Sequence, residues 1–456
     1  MSNLIRKSYK SLFYLLIVSS LFIGLVGCQS ETETAVTVIP TAEMAPDVAT
    51  AWFDFQLFLI QTTPGFTPPV AARALGYSGI TLYEAVVHGM PEHHSLAGQL
   101  NDLDSLPLPQ PDQEYNWSVV AHGALASMTR RLFANTTNRN MDGIYVTEQR
   151  VYAQVTDGVA PDVIDRSMLY GLQLAEAIYV WSLEDGGNAG VMTNYPAGYT
   201  PPSGPGMWVS TPPFYYNALQ PYWGNNRPFV LDSAGDCDPG PPPPYSEEPD
   251  SQFYQEALEV YETVTNLTDE QGQIALFWAD DPSLTMTPPG HWVSIVGQVV
   301  DQYQFQLDVA AEAYARVGIA VSDAFVSCWY TKYRYNLVRP LTYIQDVIDP
   351  TWNNPRVTDP LVTPPFPEYT SGHSAQSGAA AYILTDFLGD LAFVDDTHQA
   401  RRYPARSYNS FNEAAQEAAM SRLYGGIHFR SAIDNGLAEG RCVGAHVAQL
   451  QFRTTD

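Results

Sequence analysis

The chain contains 456 residues, of which 22 are Lys or Arg and 49 are Asp or Glu, so its formal net charge is −27 at pH 7. Such a charge repels polyanions and makes nucleic acid and anionic lipid headgroups poor partners. Because 45% of the residues are hydrophobic and only 16% are charged, the composition predicts a large folded core and not a disordered chain.

The amino-terminal segment has the pattern of an export signal. An apolar run over 11–27 follows three basic residues and ends directly before Cys28 in Leu-Val-Gly-Cys; the basic residues are Arg6, Lys7 and Lys10. The run is too short for a membrane span, and small residues before a cysteine suit a processing peptidase. The pattern resembles a bacterial lipoprotein signal.

That resemblance implies a signal peptide over 1–27, a lipid on Cys28 and a flexible tether over 28–45. An ordinary signal peptide and an uncleaved anchor are the alternatives, and all three place the protein outside the cytoplasm. Membrane contact is then expected only through the lipid anchor. Without residues 1–27 the chain keeps 19 basic and 49 acidic residues, a net charge of −30, and its only lysine is Lys332.

The remaining sequence predicts helices separated by loops rich in Pro and Gly, above all 196–250. No alternation of strands and helices indicates a parallel sheet, so the fold class is all-α, as one domain over 46–456 or as two packed bundles. The helical periods cover 47–62, 69–88, 116–134, 160–182, 251–264, 268–279, 291–348 (two helices), 373–388, 410–424 and 428–450.

Three cysteines remain after Cys28, namely Cys237, Cys328 and Cys442, and they allow at most one disulfide. The pairing is open, with a preference for Cys328 and Cys442, because Cys237 lies in a loop-like Pro-rich segment. The histidines at positions 88, 93, 94, 122, 398 and 446 lack partners at metal-ligand spacing. His291 follows a Pro-Pro-Gly turn and could line the entrance of a site.

Three later segments carry cationic and imidazole groups. Lys332 and Arg339 are seven residues apart, about 700° of helix, so they are predicted to share one helix face. Ser371-Gly372-His373 follows a Pro-rich loop at a helix start, where free backbone N–H groups favour an anion. Arg422 and His428 flank Gly425-Gly426, which can break a helix and turn both side chains toward one centre.

Each segment alone has an ordinary structural explanation, but together they predict a pocket for a tetrahedral oxyanion. The set resembles the signature K-x6-R-P, S-G-H and S-R-x5-H of vanadium-dependent haloperoxidases and type 2 phosphatidic acid phosphatases. The resemblance implies a helical bundle that binds vanadate or a substrate phosphate. Its implied roles are oxygen binding by Lys332, Arg339, Arg422, Ser371 and the Gly372 N–H, vanadium ligation by His428, and acid–base catalysis by His373.

Flanking residues favour halide oxidation. Trp329 and Phe366 match positions that hold Trp and Phe in chloroperoxidases and bacterial iodoperoxidases, and they predict a halide pocket, with buried core aromatics as the alternative. The expected reaction uses hydrogen peroxide to oxidise a halide to hypohalous acid, which halogenates a small organic acceptor. The alternatives are a secreted acid phosphatase acting through a phosphohistidine, and an oxyanion-binding lipoprotein without activity. Nothing in the sequence names the halide, and an oligomer is possible.

Two departures from the family pattern affect the site. Many members carry Asp four residues after the ligand histidine, where this chain has Ala432 with Asp434 two residues on, so a different acceptor is expected to orient His428. Asp280 or Asp281 could pair with an arginine of the site, as an acidic residue does in chloroperoxidases.

Overall fold

The structure, a computed structural model, describes residues 40–352 and 362–454. The predicted signal peptide, Cys28 and most of the predicted tether lie outside these ranges. The described chain forms helices α1 Asp47–Thr62, α2 Pro68–Val86, α3 Trp117–Leu132, α4 Asn138–Val155, α5 Pro161–Ser182, α6 Gln252–Thr265, α7 Asp269–Phe277, α8 Thr287–Tyr303, α9 Leu307–Tyr335, α10 Pro340–Tyr343, α11 Gly372–Leu388, α12 Phe411–Tyr424 and α13 Arg430–Val447.

The helices are accompanied by only two short strands in the described ranges, so the predicted all-α class is confirmed. Strand β1 (Phe393–Asp395) pairs antiparallel with β2 (Arg406–Tyr408), with Phe393 opposite Tyr408. Several helices begin at a side-chain cap: the Asn116, Thr137, Ser251, Thr268, Ser371 and Ser410 side chains each accept a backbone N–H of the first turn. Such caps are why the predicted helix starts are accurate to a few residues.

Helix α4 is absent from the helices predicted from the sequence. Its buried residues are Asn140, Ile144, Thr147 and Val151, which lie at helical spacing but include two polar side chains. The helix therefore lacks the continuous apolar stripe on which a periodicity argument depends. The predicted pair of helices over 291–348 is also wrong in part, because the chain there forms α8, α9, α10 and a π-helical turn over Ile344–Ile348.

Helix α9 is the central element and packs against α2, α8, α11 and α13. Close approach of α2 and α9 depends on glycine, because a Cβ at Gly79 would lie 2.5 Å from the carbonyl oxygen of Tyr314. At the other side, a Cβ at Gly378 of α11 would lie 2.7 Å from the carbonyl oxygen of Leu437 in α13. The carboxyl-terminal part of α9 lies beside the amino end of α11, where a Cβ at Gly372 would be 3.6 Å from the Trp329 ring and 3.8 Å from that of Phe325.

The segment 196–250 is a loop, as predicted, and it is anchored to the core. The Asp323 carboxylate of α9 accepts the backbone N–H groups of Phe229 (2.7 Å) and Val230 (2.8 Å). A disulfide joins Cys237 to Cys442 of α13. The preferred pairing of Cys328 with Cys442 is therefore wrong: this loop folds back onto α13, whereas Cys328 is a buried free thiol in α9.

The first described residues, 40–45, pack on the domain. The Thr41 hydroxyl donates to the carbonyl oxygen of Val86 (3.3 Å), and the Leu307 N–H donates to that of Met44 (2.9 Å). Across the described ranges, no helix is both long enough and apolar enough to cross a membrane.

Candidate functional site

The three cationic segments meet where helices end and begin. Helix α9 ends at Tyr335 because Asn336 adopts a left-handed conformation, with φ of 50°. Arg339 therefore lies beyond α9, at the start of α10, and the prediction that Lys332 and Arg339 share one helix face is wrong. The break between α12 and α13 is confirmed, since Gly426 has φ of 70° and His428 lies in the linker.

Lys332 and Arg339 hold the loop that precedes α11. The Lys332 ammonium is buried and donates to the carbonyl oxygens of Pro367 (3.0 Å), Glu368 (3.0 Å) and Thr370. Arg339 donates from Nε to the carbonyl oxygen of Phe366 (2.9 Å) and from Nη1 to that of Ile427 (2.9 Å). Two cations thereby fix one loop whose next residues are Ser371, Gly372 and His373.

The Ser371 hydroxyl caps α11 by accepting the Ser374 N–H at 3.3 Å. A hydroxyl that accepts one bond still has its own O–H to donate. Gly372 is the first residue of the helix, so its N–H lies among the amino-terminal N–H groups that have no partner within α11 itself. A helix start of this kind favours a bound anion.

Glu368 is the acceptor that orients His428. Its Oε1 accepts from His428 Nδ1 (2.7 Å) and from the Phe429 N–H (2.9 Å). Burial raises the pKa of Glu368 to about 8, but Oε1 also accepts the Phe429 N–H and is an acceptor in both protonation states. His428 therefore carries its proton on Nδ1, and its Nε2 lone pair lies 3.2 Å from Arg339 Nη1. This confirms the expectation of an acceptor other than residue 432. Sequence reasoning missed Glu368, although it is an isolated acid in an apolar, Pro-rich loop.

His373 and Arg422 are joined through one backbone carbonyl. The Trp278 carbonyl oxygen accepts from Arg422 Nη1 (2.9 Å) and also from the His373 ring. Within the described ranges, three buried nitrogens of these residues have no hydrogen-bond partner: Arg339 Nη2, Arg422 Nε and His373 Nε2. The two arginine nitrogens are donors, whereas His373 Nε2 is an acceptor, because the neutral ring uses its one N–H on the Trp278 carbonyl. Unpartnered buried polar groups are rare and costly, so their clustering indicates a ligand that supplies acceptor oxygens and a hydroxyl group.

A cavity of about 570 Å³ reaches these groups. It is lined on its inner side by Gly372, His373, Arg422 and His428, whereas Lys332 and Arg339 lie behind that wall. The residues Lys332, Arg339, Ser371, Gly372, His373, Arg422 and His428 are called the candidate site below.

Burial and mutual repulsion change the proton affinity of the candidate site. Burial, followed by the charges of Arg339 and Lys332, holds the pKa of His428 well below its usual value. Burial and the charge of Arg422 do the same to the pKa of His373. Burial also lowers the pKa of Lys332 to about 8 and those of Arg339 and Arg422 to about 10. At neutral pH the site therefore holds two neutral imidazoles among three cations.

Trp329 and Phe366 form one wall of the cavity, with ring centres 5.0 Å apart. The Trp329 indole N–H donates to the carbonyl oxygen of Leu219 (3.2 Å), which fixes its orientation. Lys332 Nζ lies 5.0 Å from the centre of the Phe366 ring. The two predicted pocket residues are thus side by side next to the cations.

Asp280 does not pair with the arginines as considered from the sequence. Its carboxylate accepts from His291 Nδ1 (2.9 Å) and His398 Nε2 (3.0 Å), and His291 Nε2 bonds Asp395 (2.8 Å). These four buried residues, Asp280, His291, Asp395 and His398, are called the buried network. His398 is therefore not isolated, and His291 is buried instead of lining an entrance. Asp281 is the acid with the largest electrostatic effect on Arg422.

The ligand-type atoms of Asp280, His291 and His398 lie within 4.8 Å of one another, yet hydrogen bonding accounts for them. Burial opposes protonation of His291, but the charges of Asp280 and Asp395 raise its pKa to about 10. A doubly bonded imidazolium between two carboxylates is an ion pair and not a metal ligand. The network anchors the Trp278–Asp281 segment, whose carbonyl holds Arg422 and His373.

Glu439 of α13 binds three hydroxyl groups beside Lys332. Its buried carboxylate accepts from the hydroxyls of Ser327 (2.8 Å), Thr331 (3.1 Å) and Thr370. The backbone carbonyl of Thr370 also accepts a hydrogen bond from Lys332. Glu439 therefore positions Lys332 through Thr370, a role that only the packing of α9 against α13 reveals.

Known proteins are similar to this chain in sequence and in fold. The family described as the VCPO second helical-bundle domain matches residues 312–456, which include all seven residues of the candidate site. The vanadium chloroperoxidase of Curvularia inaequalis is 24% identical over 378 residues, an alignment that covers 70% of this chain and 61% of that protein. The chain thus spans about three fifths of that relative's length.

Solved structures extend the similarity over almost the whole chain. The crystal structure described as that of the first bacterial vanadium-dependent iodoperoxidase is 38% identical, with a TM-score of 0.81 over 92% of this chain and 99% of that one. The holo-type bacterial vanadium-dependent chloroperoxidase is 14% identical with a TM-score of 0.58, over 92% and 96% of the two chains, which shows a shared fold. By its identity and coverage to the iodoperoxidase, the chain belongs to the vanadium-dependent haloperoxidase family.

Proposed function

We propose that this protein is a vanadate-dependent haloperoxidase that uses hydrogen peroxide to oxidise a halide to hypohalous acid. The observation that carries the proposal is the candidate site itself. Three buried cations surround a neutral His428 whose Nδ1 is bound to Glu368. Donors on Arg339 and Arg422 and the acceptor nitrogen of His373 lack partners among the described residues. A tetrahedral oxyanion satisfies all of these groups at once.

The residues present fit vanadate. Its oxygens would be held by Arg339, Arg422, the Ser371 hydroxyl and the Gly372 N–H, with His428 Nε2 as the ligand to vanadium. Lys332, whose three N–H donors bind loop carbonyls, would stabilise the same oxygens by its charge. When bound, vanadate supplies a Lewis acid that activates hydrogen peroxide toward a halide without changing its own oxidation state. The cations stabilise the negative charge on the oxygens, and their positions are fixed before the reaction begins.

His373 is placed to move protons. Its ring is oriented by the Trp278 carbonyl, its Nε2 has no partner among the described residues, and it lines the cavity. Because its pKa is held well below the usual value, the imidazole is neutral at working pH. It can accept a proton from hydrogen peroxide and then donate it to a hydroxide, which leaves as water. Trp329 and Phe366 give the halide a dry, polarisable wall.

Iodide is the first halide to test, because the 38% identical relative is described as an iodoperoxidase. Protein loaded with vanadate and given hydrogen peroxide should convert iodide to triiodide, and bromide and chloride should be compared in the same assay. A vanadate-loaded His428→Ala variant is the matched control and should be inactive. No turnover of any halide from acid to neutral pH would refute the proposal.

The phosphatase alternative uses the same donors, since phosphate and vanadate are both tetrahedral oxyanions. It predicts that vanadate-free protein hydrolyses p-nitrophenyl phosphate and that vanadate inhibits the reaction. The non-catalytic alternative predicts vanadate affinity with neither activity. One experiment, with and without vanadate, separates the three.

We also propose that the protein is exported and anchored by a lipid on Cys28. The disulfide between Cys237 and Cys442 supports export, because disulfides persist in oxidising compartments. Mass spectrometry of the amino-terminal peptide should find acylated Cys28, and Cys28→Ser should release the protein from the membrane fraction. An unmodified Cys28 in mature, membrane-bound protein would contradict the anchor.

A further inference from the structure

The outer part of the cavity is bordered by three aromatic rings in a stacked series. The ring centres of Tyr195 and Tyr216 lie 5.6 Å apart with planes 27° from parallel, and those of Phe214 and Tyr216 lie 5.2 Å apart at 26°. All three residues line the same cavity that reaches His373 and His428. They are called the aromatic rim.

The aromatic rim is exposed although it is apolar. The exposed fractions are 58% for Phe214, 49% for Tyr216 and 43% for Tyr195. A cluster of this kind at the mouth of a cavity commonly marks a ligand surface, because a ligand that covers it removes apolar area from water. Stacked rings in addition leave a free face for another flat ring.

The segment that carries Phe214 and Tyr216 is held against the site. The Leu219 N–H donates to the carbonyl oxygen of Pro365 (2.8 Å), and the Leu219 carbonyl accepts from the Trp329 indole. Within the segment, the Ser210 hydroxyl donates to the carbonyl oxygen of Tyr216 (2.6 Å). The rim is therefore positioned by the same wall that contains Trp329 and Phe366, and rim and candidate site form one built cavity.

The cavity has more room than an oxyanion and a halide require. Its volume of about 570 Å³ lies within the range of roughly 300–1,000 Å³ that is typical of sites for organic ligands. The lining between rim and site is largely apolar and includes Phe325, Pro364 and Leu284. Such a lining favours a flat, uncharged organic ligand.

We infer that the aromatic rim and the cavity beneath it bind the organic acceptor, and that this acceptor is an electron-rich, uncharged aromatic such as a phenol or naphthol. The inference rests on the proposed function. In the reaction, a ring carbon forms a bond to the halogen of hypohalous acid, the C–H bond breaks, and the released proton leaves with the hydroxide as water. Binding at the rim places the acceptor where hypohalous acid leaves the site.

Isothermal titration of the vanadate-loaded protein with 2-naphthol, without peroxide, measures binding independently of turnover. The double variant Phe214→Ala/Tyr216→Ala should bind 2-naphthol about tenfold more weakly, because two ring contacts are lost. Tyr216→Phe keeps the ring and should stay within about twofold of the wild type. Tyr145→Ala, an exposed tyrosine in α4 that does not line the cavity, is the matched control.

Iodination of 2-naphthol by the same proteins gives a second measure. Its rate should saturate with 2-naphthol, with a KM about tenfold higher in the double variant than in Tyr145→Ala. Absent binding, or equal affinity in the double variant and the control, would overturn the inference even when triiodide forms normally. Failure to form triiodide overturns the proposed function instead, and the titration still decides whether the rim binds an aromatic molecule.

Discussion

Lys332 connects the loop before α11 to the charge of the candidate site. It is fully buried, and the carbonyls of Pro367, Glu368 and Thr370 take its three donors. Burial lowers its pKa to about 8, so it stays charged at neutral pH. A buried ammonium without a carboxylate directly opposite it is an uncommon arrangement, and an anion beside it compensates for the lost hydration.

Replacement of this lysine should weaken vanadate binding. Lys332→Met keeps the length of the side chain but removes the charge. Attraction between a buried cation and a nearby anion contributes roughly 1.5–3 kcal/mol, so the Kd for vanadate should rise about 10- to 100-fold. Titration with vanadate measures this Kd, and circular dichroism shows whether the helical content is unchanged. Arg334→Ala is the control, because Arg334 is exposed and bound to Asp238. Equal affinity of the two variants would contradict the assignment.

Glu368 should act by orienting His428. Glu368→Ala removes the acceptor of Nδ1 and of the Phe429 N–H, and loss of such a partner typically lowers metal affinity about 10- to 100-fold. Glu368→Gln retains an oxygen that can accept both bonds, so it should restore most of the affinity. The comparison is made by vanadate titration of the two variants. If Glu368→Gln is as weak as Glu368→Ala, charge and not orientation is what Glu368 supplies.

At the scale of residues, the sequence predicts which side chains form the candidate site better than it predicts their hydrogen-bond partners. Lys332, Arg339, Arg422, His373 and His428 are found by spacing and by a family signature. Lys332 also stands out because it is the only lysine after residue 27. Their partners come from other elements, and many of them are backbone carbonyls, which every residue carries. Glu439 could not be assigned for that reason, since nothing local distinguishes it from a surface acid. Glu368 has a local signal, its isolation in an apolar loop, but its partner His428 lies 60 residues away in the sequence.

At the scale of elements, helix starts were predictable because caps and proline are local signals. The helix end at Asn336 was not, since a left-handed residue other than glycine leaves no strong trace in the sequence. That single turn separates Arg339 from Lys332 and moves it to the start of α10. Missing α4 has a related cause: its stability comes from packing against α1 and α3, not from an apolar stripe of its own.

The disulfide joins the long loop to α13 across 205 residues of sequence. Closing so long a loop restricts the unfolded chain, and Cys442→Ser should lower the free energy of unfolding by about 2–5 kcal/mol. Thermal unfolding followed by circular dichroism measures the change. A reducing agent should lower the unfolding midpoint of the wild type to nearly that of Cys442→Ser. It should not change the midpoint of the variant, in which the described cysteines, Cys237 and the buried Cys328, form no disulfide. An effect of reductant on Cys442→Ser would show a different pairing.

The buried network gives stability a defined pH dependence. The folded-state pKa of His291 is about 10, above its ordinary value of about 6.5. Its contribution is therefore fully present below about pH 6.5 and is lost as the pH rises through about 10. His291→Gln leaves Asp280 and Asp395 without their cation and should cost about 3–5 kcal/mol at pH 6.

Denaturant titrations at several pH values measure this difference between His291→Gln and the wild type. The difference should be largest near pH 6 and become smaller toward pH 10, where His291 of the wild type loses its proton. His88→Gln, at an exposed position, is the control and should show no such change. A difference that grows with pH would mean that His291 is neutral in the folded protein.

At the scale of the whole molecule, negative charge lies at the surface and positive charge is concentrated in the buried candidate site. The chain has a net charge of −27, and the described part of the surface carries most of its acids, whereas the candidate site concentrates three cations in the interior. Mutual repulsion of the surface acids destabilises the folded state, and it is long-ranged only at low salt, where the Debye length is roughly 30 Å at 0.01 M. Local attraction of an oxyanion depends on buried groups, which salt screens much less.

These two effects can be separated in one experiment. Sodium chloride should raise the thermal midpoint steeply at low concentration and reach a plateau near 1 M, where the Debye length is only about 3 Å. The rise should be the same in the wild type and in Lys332→Met. Micromolar vanadate should raise the midpoint of the wild type further and that of Lys332→Met much less, because a ligand stabilises by its affinity for the folded state. Precipitation or a falling midpoint with salt would contradict the role of surface repulsion. An equal vanadate response in both proteins would place the oxyanion on the surface and not among the buried cations.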